Sequence, residues 1–216
     1  MTEVRGASRT DAGVHAEWQV AAFDTDRDYT PERWQQAINA QTPPEIYIRD
    51  VREAALGYHP RFAKKGKCYR YLICEGRFLP PNLLNHAMLS RPLDVAKMVE
   101  AAQYLLGEHD FSSFRAIDCQ AKSPIRTLTR IDIRRIPYPF AYPVFGRELE
   151  GLLQIEVEGT AFLKQMVRIL VGTLVEFGLG RDPADMKTIL EAKNRQFAGE
   201  TAPACGLTLI RSIEDS

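Results

Sequence analysis

The chain has 216 residues, 45% of them hydrophobic, enough to bury a core as one large domain or two small lobes. Its 28 basic and 28 acidic residues cancel, which excludes a polycation that coats nucleic acid indiscriminately, so any nucleic-acid site has to be a local patch. No apolar stretch is long enough to cross a bilayer, MTEVRGASRT lacks the regions of a leader, and Cys68, Cys74, Cys119 and Cys205 have no knuckle spacing; the expectation is a cytoplasmic protein without membrane span, disulfide framework or zinc site.

The first segment of interest is GASRTDAGVHAEWQVAAF, residues 6–23, where Arg9, Asp11 and His15 fall within seven residues among glycines and small side chains. Asp with Gly is ordinary turn chemistry. The alternative is a loop that carries reactive groups, and the stretch alone leaves both open. The alternation in EWQVAAF predicts a strand after it. Thr30 followed by Pro31 predicts a helix through about Ala40, and IYIRDV, residues 46–51, reads as a half-buried strand.

A seam between two halves is expected around 54–66. Just past it, HPRFAKKGKCYRYL, residues 59–72, holds Arg61, Lys64, Lys65, Lys67 and Arg70 with no acid, interleaved with Phe62, Tyr69 and Tyr71. Basic groups neutralise phosphates while aromatic faces accept an unstacked base, one way of holding splayed RNA; the other reading is a strand with a basic outward face. YRYLI predicts the strand itself. Asp94 caps a helix expected to run to Leu106 and stop at Gly107. The stretch 115–135 has six basic residues (Arg115, Lys122, Arg126, Arg130, Arg134, Arg135) against Asp118 and Asp132, which predicts a charge-segregated surface with the compensating acids elsewhere, in Glu148, Glu150, Glu156, Glu158, Glu214 and Asp215.

Strands are expected in RTLTRIDIRRI, LLQIEVEG and GLTLIRSI, and a helix from Asp182 and Pro183 to about Lys193. The helix expected at 161–177, AFLKQMVRILVGTLVEF, has Phe162, Met166, Ile169, Leu170, Thr173 and Phe177 on one stripe, while Val167, Val171 and Leu174 make most of the circumference apolar. Arg168 lies off that stripe yet among apolar neighbours. It either snorkels along its stem to solvent or pairs with a carboxylate, for which Asp11 is a candidate. Strands mixed with helices in this order give an α+β fold, a mostly antiparallel sheet with helices to one side.

SRTDAGVHA, KCYRYLI, HDFSSFRA and FLKQMVRILVG, in that order, resemble the tRNA pseudouridine synthase A family over about Arg5 to Ile213. The resemblance implies the pseudouridine synthase fold: a mixed, mostly antiparallel sheet in two ferredoxin-like halves with helices packed on one face. The Asp11 loop would fall in an N-terminal half, 1–60, and Tyr69 and Arg168 in a C-terminal half, 61–216. It implies that Asp11 is catalytic, that Tyr69 packs on the target uracil, that Arg168 pairs with Asp11, that Arg9 fills the place of the flipped nucleotide, and that Gly13 and His15 shape the loop. It further implies tRNA as substrate, uridines 38, 39 and 40 of the anticodon stem-loop as targets, a homodimer, and no metal or organic cofactor. The reaction breaks the glycosidic bond, turns the base and rejoins it through C5. A carboxylate can serve as nucleophile on sugar or base, or as the base that takes a sugar proton.

Two other classes stand beside this one. A non-catalytic RNA-binding module would present Tyr69 and Tyr71 to bases from an open sheet. A metal-dependent hydrolase would use Asp11 and His15, an incomplete ligand set to which His59, His86 and His109 add no spacing. This sequence differs from the family pattern at Ser8, where many members have glycine. It also lacks the strand, YDG…GWQ block and helix that precede the Asp loop in the family. The expectation from that difference is that residues 1–216 are less soluble and less active than a longer version, with the part from Arg61 onward the more stable.

Overall fold

The computed structural model describes residues 2–63, 65–138 and 151–213. Its contacts group residues 2–8 and 20–63 into one compact unit, and 9–19 with 65–138 and 151–213 into a larger one. The Asp11 loop therefore counts with the larger unit. In the smaller unit β1 (Val4–Gly6) pairs antiparallel with β3 (Ala21–Phe23), and α1 (Pro31–Asn39) starts where Thr30 accepts from the backbone N–H of Arg33. Residues 46–51 are not the predicted strand. The side chain of Asn39 bonds both the N–H and the C=O of Ile48, and Gln35 donates to the carbonyls of Ile48 and Arg49, so α1 satisfies this backbone in place of a ladder partner.

The larger unit is a seven-stranded sheet. Its strands are β2 (His15–Ala16), β4 (Gly66–Glu75), β5 (Met88–Ser90), β6 (Gly107–Asp110), β7 (Ile125–Ile136), β8 (Leu152–Gly159) and β9 (Leu207–Ile213). The order is β2-β9-β4-β8-β7-β6, with β5 beside the end of β4; β2 with β9 and β4 with β5 are parallel, and the rest are antiparallel. α2 (Val95–Gln103), α3 (Met166–Gly178) and α4 (Asp185–Ala192) cover one face, as the sequence predicts. Strand alternation puts Tyr69, Tyr71 and Ile73 of β4 and Leu153, Ile155 and Val157 of β8 under those helices, in one core with Met98, Ile169, Leu170 and Phe177. The sheet is α+β and mostly antiparallel, the class read from the strand and helix pattern.

Four boundaries differ from expectation, one of them the start of α4, at Asp185 rather than at Asp182 and Pro183. EWQVAAF, residues 17–23, is strand only at its end, in β3, because the chain leaves β2 at Ala16 and changes units between Gln19 and Val20. α2 ends at Gln103, and Gly107, at a φ of +96°, opens β6 rather than only closing the helix. α3 begins at Met166, not near 161, because Gln165 takes a left-handed φ of +59° that no helix can propagate through. Phe162 consequently leaves the helix stripe and packs elsewhere.

Candidate active site

The loop from Arg9 to Val14 makes a tight turn in which the Asp11 carbonyl accepts from the Val14 N–H at 3.1 Å, with Gly13 at a φ of +82° that side chains resist. Directly afterwards β2 pairs with β9, His15 beside Thr208, and Glu17 N–H donates to the Leu209 carbonyl at 2.8 Å. Asp11 is thus held by its own turn and by a strand that starts four residues later.

Arg168 stands in the first turn of α3. Its Nη1 donates to Asp11 Oδ2 at 2.9 Å and its Nε to the Ala202 carbonyl at 2.7 Å; the two side chains are 15% and 29% exposed. The snorkelling alternative is thereby excluded, because the guanidinium turns inward to a carboxylate. Among the described residues no other side chain donates to Asp11, so Oδ1 is left open. Tyr69 is 8% exposed and meets Phe162 edge to face, ring centres 5.1 Å apart. Burial, and after it the negative charge of Asp11, push its hydroxyl up to about 12, so it stays protonated at any physiological pH. Lys164 pairs with Asp118 at 2.5 Å on the segment leading into α3. Arg9 is exposed at the head of the loop.

The basic stretch of 59–72 is divided by the fold. Arg61 is exposed in the smaller unit, and Lys64 lies outside the described residues. Lys65 is exposed and Lys67 half-buried at the start of β4. Arg70, of opposite parity to Tyr69, points to the face away from the helices and pairs with Glu17. The predicted charge segregation does not hold on that face. Arg130 and Arg134 of β7 pair with Asp132 and Glu156, and Arg211 of β9 with Glu158 at 2.9 Å; on the helix-covered face Arg135 pairs with Glu75 through two bonds of 3.1 Å. Of the acids counted as distant, Glu156 and Glu158 stand on β8 beside β7, and Glu148, Glu150, Glu214 and Asp215 lie outside the described residues.

The two rival classes lose their footing in the same geometry. Tyr71 is fully buried under the helices, so the sheet does not present it beside Tyr69 as an open platform for bases. His15 does not join Asp11: its Nε2 donates to the Asn85 carbonyl at 2.6 Å, and its ring lies 4.7 Å from that of His86, beside a 410 Å³ concavity on the opposite face that Glu17 and Arg70 also line. One residue of the site was not read from the sequence: Ala202 acts through a main-chain carbonyl, for which no sequence signal exists. Tyr71, read from the sequence as an aromatic offered to bases, is a core residue instead.

The family model described as tRNA pseudouridine synthase matches residues 1–63 and 101–213. The chain is 42% identical over 208 residues to tRNA pseudouridine synthase A of Acetivibrio thermocellus, covering 95% of this chain and 80% of that protein. It is 42% identical over 208 residues to the protein of the same name from Myxococcus xanthus, covering 95% and 74%. With that of Aliivibrio fischeri it shares 40% over 211 residues, covering 96% and 75%.

Proposed function

The chain belongs to the tRNA pseudouridine synthase family, and from that premise we propose that the Asp11–Arg168 pair is the centre at which it isomerises uridine to pseudouridine in tRNA. The observation that carries the assignment is the one-sided grip on Asp11. Arg168 takes Oδ2, fixes the carboxylate and compensates its charge, while Oδ1 is left to meet a ribose or a base. Isomerisation needs no redox step: the N1–C1′ bond breaks, the base turns, C5 bonds to C1′, the C5 proton is released to solvent and N1 takes one up. Asp11 can serve either as nucleophile or as base.

In this reading the target nucleotide leaves its stem at a cost of a few kcal/mol. Arg9 fills the vacancy, and Tyr69 packs against the uracil, its protonated hydroxyl placed to donate. The targets are uridines 38, 39 and 40 of the anticodon stem-loop, and the protein works as a cytoplasmic homodimer. Mapping pseudouridine in tRNA transcripts incubated with the protein tests the substrate; new pseudouridine at other positions only, or none, removes the anticodon assignment. Sedimentation tests the dimer.

Two predictions concern the residues around the pair. Tyr69→Phe keeps the packing surface and retains tRNA affinity and most turnover, whereas Tyr69→Leu loses turnover at least tenfold, because base–aromatic contact is worth about 1–3 kcal/mol. Equal turnover in both variants would detach Tyr69 from the substrate. Removing the charges of Lys65 and Lys67 together weakens tRNA binding and lowers the slope of log affinity against log salt by about 1 to 2, as fewer counterions are released. An unchanged slope would place these lysines outside the RNA contact.

A further inference from the structure

The helix that carries Arg168 does not by itself aim the guanidinium, since helical hydrogen bonds fix only the backbone and an arginine stem is long and flexible. The second grip comes from residues 198–203, which run along α3. Arg168 Nε donates to the Ala202 carbonyl at 2.7 Å, and the Ala202 N–H donates back to the Arg168 carbonyl at 3.1 Å. The segment can lie this close because α3 has Gly172 at the crossing, where a Cβ would stand 1.8 Å from the Glu200 carbonyl oxygen. It is tied at both ends. The Gly199 N–H donates to Thr173 Oγ1 at 2.9 Å, and the Tyr71 hydroxyl donates to the Pro203 carbonyl at 2.8 Å.

Tyr71 is the unusual member. Its ring is fully buried, its pKa is raised by burial, and a phenylalanine would fill the same volume without desolvating a hydroxyl. What the hydroxyl adds is a fixed position for Pro203, the residue next to Ala202. The ring in turn is wedged on Gly206, where a Cβ would fall 2.5 Å from it.

We propose that Tyr71 is a positioning residue for the Asp11–Arg168 pair, acting through Pro203 and Ala202. Resting on the assignment of the reaction to Asp11, this ties the strand that carries Tyr69 to the guanidinium that holds the carboxylate. A displacement well under 1 Å at such a centre lowers the rate, and one of about 1 Å can cost a hundredfold.

The test is a double-mutant cycle on full-length protein with tRNA. Tyr71→Phe is expected to lower kcat about tenfold with KM for tRNA unchanged, and to speed solvent exchange of the Arg168 Nε–H seen by NMR about tenfold. In an Arg168→Lys background, which has no Nε–H bond to Ala202, the same substitution is expected to cost almost nothing further. Equal costs in both backgrounds, or an unchanged Arg168 Nε–H, would overturn the proposal by making Tyr71 an ordinary core residue. Should Tyr71→Phe fail to fold, Thr173→Val loosens the other tie and is expected to show the same split, with Thr173→Ser restoring the parent values. Faster Nε–H exchange in Tyr71→Phe together with full turnover in Asp11→Asn would uphold the tie and refute the reaction assignment, so the two can fail separately.

Discussion

Asp11→Asn is expected to abolish isomerisation, measured as tritium release from C5-labelled tRNA, while affinity for that tRNA is expected to stay within severalfold of the parent. The amide has the shape of the carboxylate and its oxygen can still accept from Arg168 Nη1, so the loop and its turn at Gly13 survive. It has no charge with which to attack a sugar or remove a proton. Binding is expected to be spared because phosphate contacts supply most of the affinity for nucleic acid, and a carboxylate, itself an anion, gives phosphate no attraction. Turnover within tenfold of the parent would take the reaction away from Asp11.

Arg168→Ala has the second largest effect and acts on rate and stability together. Rate falls about a hundredfold or more, since Asp11 loses the side chain that fixes it and is free to move by an ångström. Stability falls because a partly covered carboxylate and the Ala202 carbonyl lose their partner at once. Breaking a fully buried pair costs about 3–5 kcal/mol; with Asp11 29% exposed, water recovers part of that and about 1–3 kcal/mol is expected in urea unfolding. Adding Asp11→Asn returns some of the stability and none of the activity. An Arg168→Ala protein with parent turnover would make the ion pair purely structural.

The residues legible in sequence are those whose environment is dictated locally. Alternation in YRYLI and LLQIEVEG marks β4 and β8, and Thr30 and Asp94 mark α1 and α2, because a cap bonds backbone only two or three residues away. Arg168 was readable from a global constraint instead: a permanent charge among Val167, Ile169 and Val171 requires a carboxylate, even though Asp11 is 157 positions away. What failed depended on partners that sequence order does not name. IYIRDV alternates like a strand but has its backbone bonded by side chains of α1. Arg130 and Arg134 look like a basic surface until register brings Glu156 beside them. The start of α3 is not legible because Gln165, an ordinary helix former, is left-handed in the structure.

The parallel pairing of β2 with β9 sets an order of events during synthesis. His15 and Ala16 leave the ribosome early, yet their ladder partners Thr208 and Leu209, like the Ala202 carbonyl that holds Arg168, are among the last residues described here to be made. At about 5–20 residues per second the Asp11 loop waits some ten seconds or more for its strand, and the long loop closure that follows is slow. Through that interval the nascent chain carries the Asp11 carboxylate without its cation or its strand, so the proposed centre is assembled only once β9 has emerged.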